Sequence, residues 1–428
     1  MTSSRVSSTP TKFQRPFAPK YLVNTGGSMA DAIALSGGAL GVGPAGLTLD
    51  GASIADLAGQ HGTPLYVYGA DTILRRFAAL REALGGVGRP YAIRFAMKSN
   101  RFGPVLDLVR AEGDIRIDTC SPREVERATQ HGFSPDEISL TAGMLSNRDL
   151  ALIGRAGVKP NLDTFSVIRR WAAAPDRKTA TIGLRINPEV VVGWGETDRH
   201  AYGNSKFGFD QDAVAEAVAL AESLGLVVDE VHMHLGWGLQ RSAEPAMRRA
   251  FEGLAAIAGA IPTVKTVNVG GGLCWPQRPE DDPMPVGMWA QVVGDSLAKL
   301  PPDVKIACEP GTFIMGAAGV LVLEVTTVET RKSGLWYGVD GGHAINVFAA
   351  HYAIPMARLP VAEPRRPLTT RANLGGNINE ANDVFARDAM MPALTEGELL
   401  ALYPAGAYGS SMASDHCLRG AFVELLVP

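Results

Sequence analysis

From about residue 64 to residue 308 the chain alternates short apolar runs with amphipathic helical stretches, and this alternation restricts its fold more than any other feature. Nine runs have the length and composition of strands: PLYVY from Pro64, YAIRFAM from Tyr91, DIRID from Asp114, ISLT from Ile138, VKPNL from Val158, ATIGLRI from Ala180, VDEVHMH from Val228, VKTVNV from Val264 and VKIAC from Val304. Several are apolar on both faces, as parallel strands covered by helices are. The stretches between them carry helix signals. Asp71 precedes TILRRFAALREAL, Ser121-Pro122-Arg123-Glu124 has the form of a capping box with proline at the first helical position, and Ser242 precedes AEPAMRRAFEGLAAIA. A βα unit repeated about eight times over about 250 residues is the size of a closed (β/α)8 barrel. The rival, a doubly wound open sheet, carries a glycine-rich turn after its first strand, and none follows PLYVY.

After Gly316 the helical spacers stop. VLVLEVTTVETR, LWYGVD and the C-terminal GAFVELLV read as a β domain. The expected class is therefore α/β, a (β/α)8 TIM-type barrel with a second, C-terminal β-sandwich or barrel domain. The expected limits are a flexible arm over 1–35, a segment joining the β domain over 36–62, the barrel over 63–316 and the β domain over 317–428.

A net charge of −4 over 428 residues argues against a nucleic-acid partner. No apolar run approaches the roughly 20 residues of a membrane helix. The Ser/Thr/Pro-rich first thirty residues lack the apolar core of a secretory signal, so a cytoplasmic location is expected. Cys120, Cys274, Cys308 and Cys417 are far apart and form no CxxC pair; buried free thiols are expected, with no metal site.

Active sites of such barrels sit where the strands end. Lys98 follows YAIRFAM, where an amine can form a Schiff base with a carbonyl cofactor. His234 ends VDEVHMH, and its flat ring could stack on an aromatic cofactor; His232 lies on the same face of that strand. Gly270-Gly271-Gly272 follows VKTVNV, where backbone N–H groups can cradle a phosphate. Glu309-Pro310-Gly311 ends VKIAC, where a carboxylate could hold a protonated ring nitrogen. Each has a plainer reading: a solvated lysine, a structural histidine, a tight turn and a surface turn. Four signals at four strand ends, in complementary roles, argue for a shared site.

These residues carry a resemblance to the fold-type III pyridoxal-phosphate decarboxylases, the diaminopimelate, ornithine and arginine decarboxylase group, distantly related to alanine racemase. FAMKSN is similar to the family's Y-A-x-K-A-N, and IDTCSPRE to its D-x-x-S-x-x-E through Asp118, Ser121 and Glu124. LRINP and SKFG match through Arg185, Asn187, Lys206 and Phe207, and HLG, GGG, EPG, VDGG and GAYGSSMAS match in order to the C-terminus. The resemblance implies pyridoxal 5'-phosphate on Lys98, with Asp118, His234, Gly270, Gly271, Gly272, Glu309, Gly311 and Tyr408 around it. It implies an amino-acid substrate, loss of its α-carboxylate to give an amine, and a homodimer with shared active sites.

Three positions depart from the pattern. GGNINEAND stands where the family has G-P-x-C-E-S-x-D, so Asn379 replaces a cysteine proton donor while Glu380 and Asp383 are retained. Trp237 replaces the serine after H-I-G, and Thr312 the arginine after E-P-G. Asn379 and Glu380 are thus candidate catalytic residues, and Thr312, Trp237 and Asp383 candidate substrate contacts. An amide has no usable titration, so another group must return the proton, or the chemistry differs. The alternatives are a racemase or other α-carbon chemistry and a catalytically inactive regulatory paralogue.

Overall fold

The computed structural model describes residues 29–192, 205–276, 281–352, 354 and 356–428. Eight parallel strands close into a barrel: β5 (Tyr91–Ala96), β6 (Arg116–Thr119), β7 (Ile138–Thr141), β8 (Lys159–Leu162), β9 (Thr181–Ile186), β10 (Val227–Met233), β11 (Thr266–Asn268) and β12 (Lys305–Cys308). They neighbour one another in chain order, and β12 returns to β5 through Ile306 beside Tyr91 and Cys308 beside Ile93. All eight C-terminal ends therefore open on one face.

PLYVY, expected to open the barrel, is not part of it. Strand β4 (Leu65–Gly69) runs antiparallel to β13 (Gly319–Arg331) and parallel to β19 (Val423–Val427). All five β4 residues are buried, so periodicity could not tell a barrel strand from a sheet strand. Its two tyrosine hydroxyls show what decides the placement. Tyr66 donates to Ile345 O at 2.7 Å and Tyr68 to Glu424 Oε1 at 2.8 Å, both beyond residue 317. The barrel thus begins at Tyr91.

The β domain comprises β4, β13, β14 (Gly334–Val339), β15 (Ala357–Pro360), β16 (Leu368–Gly375), β17 (Val384–Pro392), β18 (Leu399–Tyr403) and β19. It is a mixed sheet that branches along β13. The first half of that strand lies between β4 and β18, and the second half pairs with β14, which leads to β16 and β17.

Three short strands, β1 (Leu40–Gly43), β2 (Gly46–Leu49) and β3 (Ala52–Ser53), make a separate antiparallel sheet. It packs on the β domain, with Leu40, Leu47 and Leu49 buried against Val320, Leu359 and Tyr403, and Leu47 N–H donating to Val361 O at 2.8 Å. The expected arm over 1–35 is corrected at its end, since Met29–Ser36 is helical; residues 1–28 lie outside the described residues.

The helix signals held unevenly. Ser121 caps the helix Pro122–Gln130, accepting from Glu124 N–H, but Glu124 turns back to Cys120 N–H at 2.6 Å. Asp71 lies inside the helix Ala70–Gly85, whose Thr72 N–H is taken instead by Asp50 from β2's turn at 2.8 Å. Ser242 sits in a 3-10 turn ahead of Glu244–Gly259 and does not cap it. Among the described residues no helix is long and apolar enough to cross a membrane.

Candidate active site

The barrel's open face meets the β domain at a cavity of about 220 Å³. Lys98, His234, Gly271, Gly272, Glu309 and Gly311 line it from the strand ends. Thr312 and Trp237 extend that rim, and Phe348, Tyr352, Tyr408 and Met412 close it from the β domain.

Strand β5 ends in the 3-10 turn Met97–Ser99, which turns Lys98 into the cavity; 40% of its side chain stays open there. Its Nζ is 3.5 Å from Asp118 Oδ2 and 3.4 Å from Cys120 Sγ. Burial alone would lower the Lys98 pKa, but Cys120, Asp118, Tyr408 and Glu309 outweigh it and hold the ammonium well above its ordinary range. Burial also pushes the Cys120 thiol up to about 12, so at neutral pH it is uncharged and the acids carry the attraction. The expectation of four buried thiols is corrected on two counts: Cys120 borders the cavity lysine, and Cys417 is exposed.

Glu309 is buried and held at both oxygens. His232 Nε2 lies 3.0 Å from Oε2, and Asn268 Nδ2 donates to Oε1 at 2.7 Å. Burial opposes its ionisation, yet His232, Lys98 and Arg94 lower its pKa well below the carboxylate range. Asp118 takes the opposite course: burial first, then the Glu309 charge, raise it.

Asn268 is the hinge of this arrangement. Its Nδ2 also donates to Glu230 Oε1 at 3.0 Å, and its Oδ1 accepts Gly270 N–H at 3.0 Å. Glu230 in turn takes Arg94 at 2.6 and 2.9 Å and Lys159 at 2.9 Å. A charged network thus fills the barrel floor where branched apolar residues are the rule.

The glycine run reads differently in three dimensions. Gly270 and Gly272 have φ of +68° and +110°, and a Cβ at Gly271 would lie 2.4 Å from Glu309 O. Gly270 N–H is spent on Asn268 and Gly271 N–H on His234 Nδ1 at 3.1 Å, whereas Gly272 N–H has no hydrogen bond among the described residues. Only part of the run can therefore face a phosphate. Because His234 Nδ1 accepts that bond, it carries no proton; burial, then Lys98, Arg185 and His232, hold the imidazole well below its usual pKa. A neutral flat ring results.

Tyr408 adopts φ of +62°, a conformation that costs about 1–3 kcal/mol in a non-glycine residue. Its N–H donating to Ser99 O at 2.7 Å and its ring against Phe348, centroids 5.0 Å apart, hold it there. The lysine turn and the β domain are thereby tied together.

The segment 375–383 does not reach the cavity of its own chain. Asn379 and Glu380 are exposed, with Glu380 3.2 Å from His416. Asp383 does not line the cavity of its own chain: it is buried, and its oxygens accept His343 N–H at 2.6 Å and Ile378 N–H at 2.9 Å. Phe348, Tyr352 and Met412 were missed, because nothing local separates them from core residues; Asn268 and Glu230 showed only as polar residues in apolar strands, a signal that could have been used.

The family model of the pyridoxal-dependent decarboxylase pyridoxal-binding domain matches residues 70–316. The chain is 32% identical over 398 residues to the diaminopimelate decarboxylase of Methanothermobacter thermautotrophicus, covering 89% of this chain and 90% of that one. It belongs to the pyridoxal-dependent decarboxylases. A solved structure of an Aquifex aeolicus protein superposes with a TM-score of 0.83 at 27% identity, over 93% of this chain and 94% of that one. Helicobacter pylori diaminopimelate decarboxylase complexed with L-lysine gives 0.79 at 26%, over 87% and 94%. The cofactor of this decarboxylase is pyridoxal 5'-phosphate, and the cavity suits it: an amine for the aldehyde, an ionised carboxylate fixed at both oxygens, a neutral imidazole and a side-chain-free turn.

Proposed function

We propose that the cavity decarboxylates an amino acid at the Lys98 amine, with each lining residue in one role. Pyridoxal phosphate supplies, when bound, an aldehyde for the substrate amine and a protonated ring that accepts the electron pair left by carbon dioxide. Lys98 would hold the aldehyde through its amine, and Asp118 beside it would keep a proton on that amine when it is free. Glu309, fixed at both oxygens, would keep a proton on the ring nitrogen. His234 would offer the ring a flat neutral face, and Gly272 N–H and Tyr408 would be available to hold the phosphate. The aromatic side of the cavity keeps water from the α-carbon, where developing charge is felt more strongly in a dry site.

One observation carries the reading: Glu309, ionised and gripped by His232 and Asn268, shares a cavity with the Lys98 amine. The relatives' name, diaminopimelate decarboxylase, points to a basic amino acid as substrate. The exposed Asn379 and Glu380, which match a family segment that crosses a dimer interface, support a two-fold assembly in which they reach the partner's cavity. Borohydride treatment of the yellow protein should fix the cofactor on Lys98, and the untreated enzyme should release carbon dioxide from amino acids. Exchange of the α-proton without carbon dioxide would replace this reading with the racemase alternative.

A further inference from the structure

We infer that His232 is a positioning residue for the cofactor's ring nitrogen: by donating from Nε2 to Glu309 it keeps that carboxylate an ionised acceptor where the ring meets it. The inference rests on the decarboxylase reading, in which Glu309 faces the ring nitrogen, and adds a residue to it.

His232 lies on β10 and His234 just past its end, on one face of the strand, and their hydrogen bonds run in opposite directions. His234 lines the cavity and accepts from Gly271 N–H. His232 lies one layer deeper, 1% exposed, with Nε2 3.0 Å from Glu309 Oε2. An ionised carboxylate can only accept, so Nε2 carries the proton of this bond. That direction is the same whatever Nδ1 carries.

Strand register explains the meeting. His232 stands beside Asn268 on β11, and Asn268 beside Ala307 on β12. Glu309 is two residues beyond Ala307 and shares its face. Asn268 holds the other oxygen at 2.7 Å, in a site dry enough to strengthen both bonds. A carboxylate has about four lone-pair positions, so these two donors leave room for a ring N–H from the cavity that Glu309 lines.

Burial opposes ionisation of Glu309. Of the groups that counter burial His232 acts most, electrostatically and through the hydrogen bond, ahead of Lys98 and Arg94. Lys98 gives up its ammonium when its amine takes the aldehyde, and Arg94 is committed to Glu230 at 2.6 and 2.9 Å. Asn268 divides its amide between Glu309 and Glu230. Without His232 the buried carboxylate is pushed towards its protonated form, which no longer draws an N–H from the ring.

Pyridoxal phosphate and its deaza analogue, in which C–H replaces the ring nitrogen, isolate this contact. The full chain freed of cofactor is titrated with each by equilibrium dialysis. Wild type should bind pyridoxal phosphate about tenfold or more tightly than the analogue. His232→Leu should narrow that ratio to about threefold or less, while His232→Gln, which keeps an N–H donor, should retain most of it. An unchanged ratio in folded His232→Leu, even with both affinities lowered, marks packing alone and overturns the inference. A ratio lost equally in both variants overturns donation as its cause. Should His232→Leu fail to fold, His232→Asn, whose shorter amide falls short of Glu309, carries the same comparison. A wild type that binds both ligands equally overturns the placing of Glu309 at the ring nitrogen, and so the reading beneath the inference.

Discussion

Beneath the cavity the barrel floor buries Arg94, Glu230, Asn268, His232 and Glu309 in one hydrogen-bonded network, whereas the wall opposite is Trp237, Phe348, Tyr352 and Tyr408 in ring-to-ring contact. The floor is directional. Each of these side chains has a named partner, although His232 Nδ1 has none among the described residues, and removing one leaves another unsatisfied in a dry interior, at a cost far above the net value of the bond. The wall is graded, since removing a ring takes area and leaves no stranded charge. Changes at the floor should therefore alter cofactor handling steeply, and changes at the wall should alter substrate preference gently.

The largest effect is expected at the lysine that both regions surround. Lys98→Ala should remove measurable carbon dioxide release and the borohydride-fixed adduct together. Next is the floor's ion pair. Arg94→Ala leaves buried Glu230 with Lys159 as its remaining cation, and denaturant unfolding should show a loss of about 3 kcal/mol, the low end for a broken buried pair. Arg94→Met combined with Glu230→Leu should recover much of it, because an apolar pair of similar volume carries no stranded charge. If the double variant is as unstable as the single one, the network is needed for the fold itself.

Asn268→Ala should loosen Glu309 and the glycine turn at once. A loss of about 1–3 kcal/mol, roughly five- to 150-fold in cofactor affinity, is expected on dialysis followed by absorbance. His234 supplies a pH test. Its folded pKa is depressed, so the unfolded chain takes up a proton at higher pH than the folded one. Stability should then fall as pH drops below about 6.5 and continue falling towards the depressed value, by at most about 1.4 kcal/mol per unit. His234→Gln should flatten that slope; an unchanged profile would place the sensitivity elsewhere. The smallest effect belongs to the wall. Phe348→Leu should cost about 1 kcal/mol, seen as a several-fold higher KM with kcat little changed. A large kcat loss would show the wall to be as directional as the floor and break the contrast.

Much of the strand-end rim was legible in the sequence. Lys98, His234, Glu309 and the glycine run each follow an apolar run directly, and parallel barrel strands deliver such positions to one face. The rest was hidden for identifiable reasons. Phe348 and Tyr352 sit in the short helix Val347–Tyr352, where an aromatic reads as core unless its neighbours in space are known. Asp383 carries a functional-looking carboxylate, but only the fold shows two backbone amides consuming it.

By itself the amino-acid sequence determined the barrel, which residues stand at its strand ends and the presence of a second β domain, because period, run length and the residue after each strand are local properties. Tertiary structure alone decided that PLYVY leaves the barrel for the β domain, that Asn268 couples Glu309 to the glycine turn, and that rings from two domains meet over Lys98. Those outcomes depend on hydroxyl partners, buried charges and ring contacts between residues far apart in the chain, and no local pattern encodes which distant partner satisfies them.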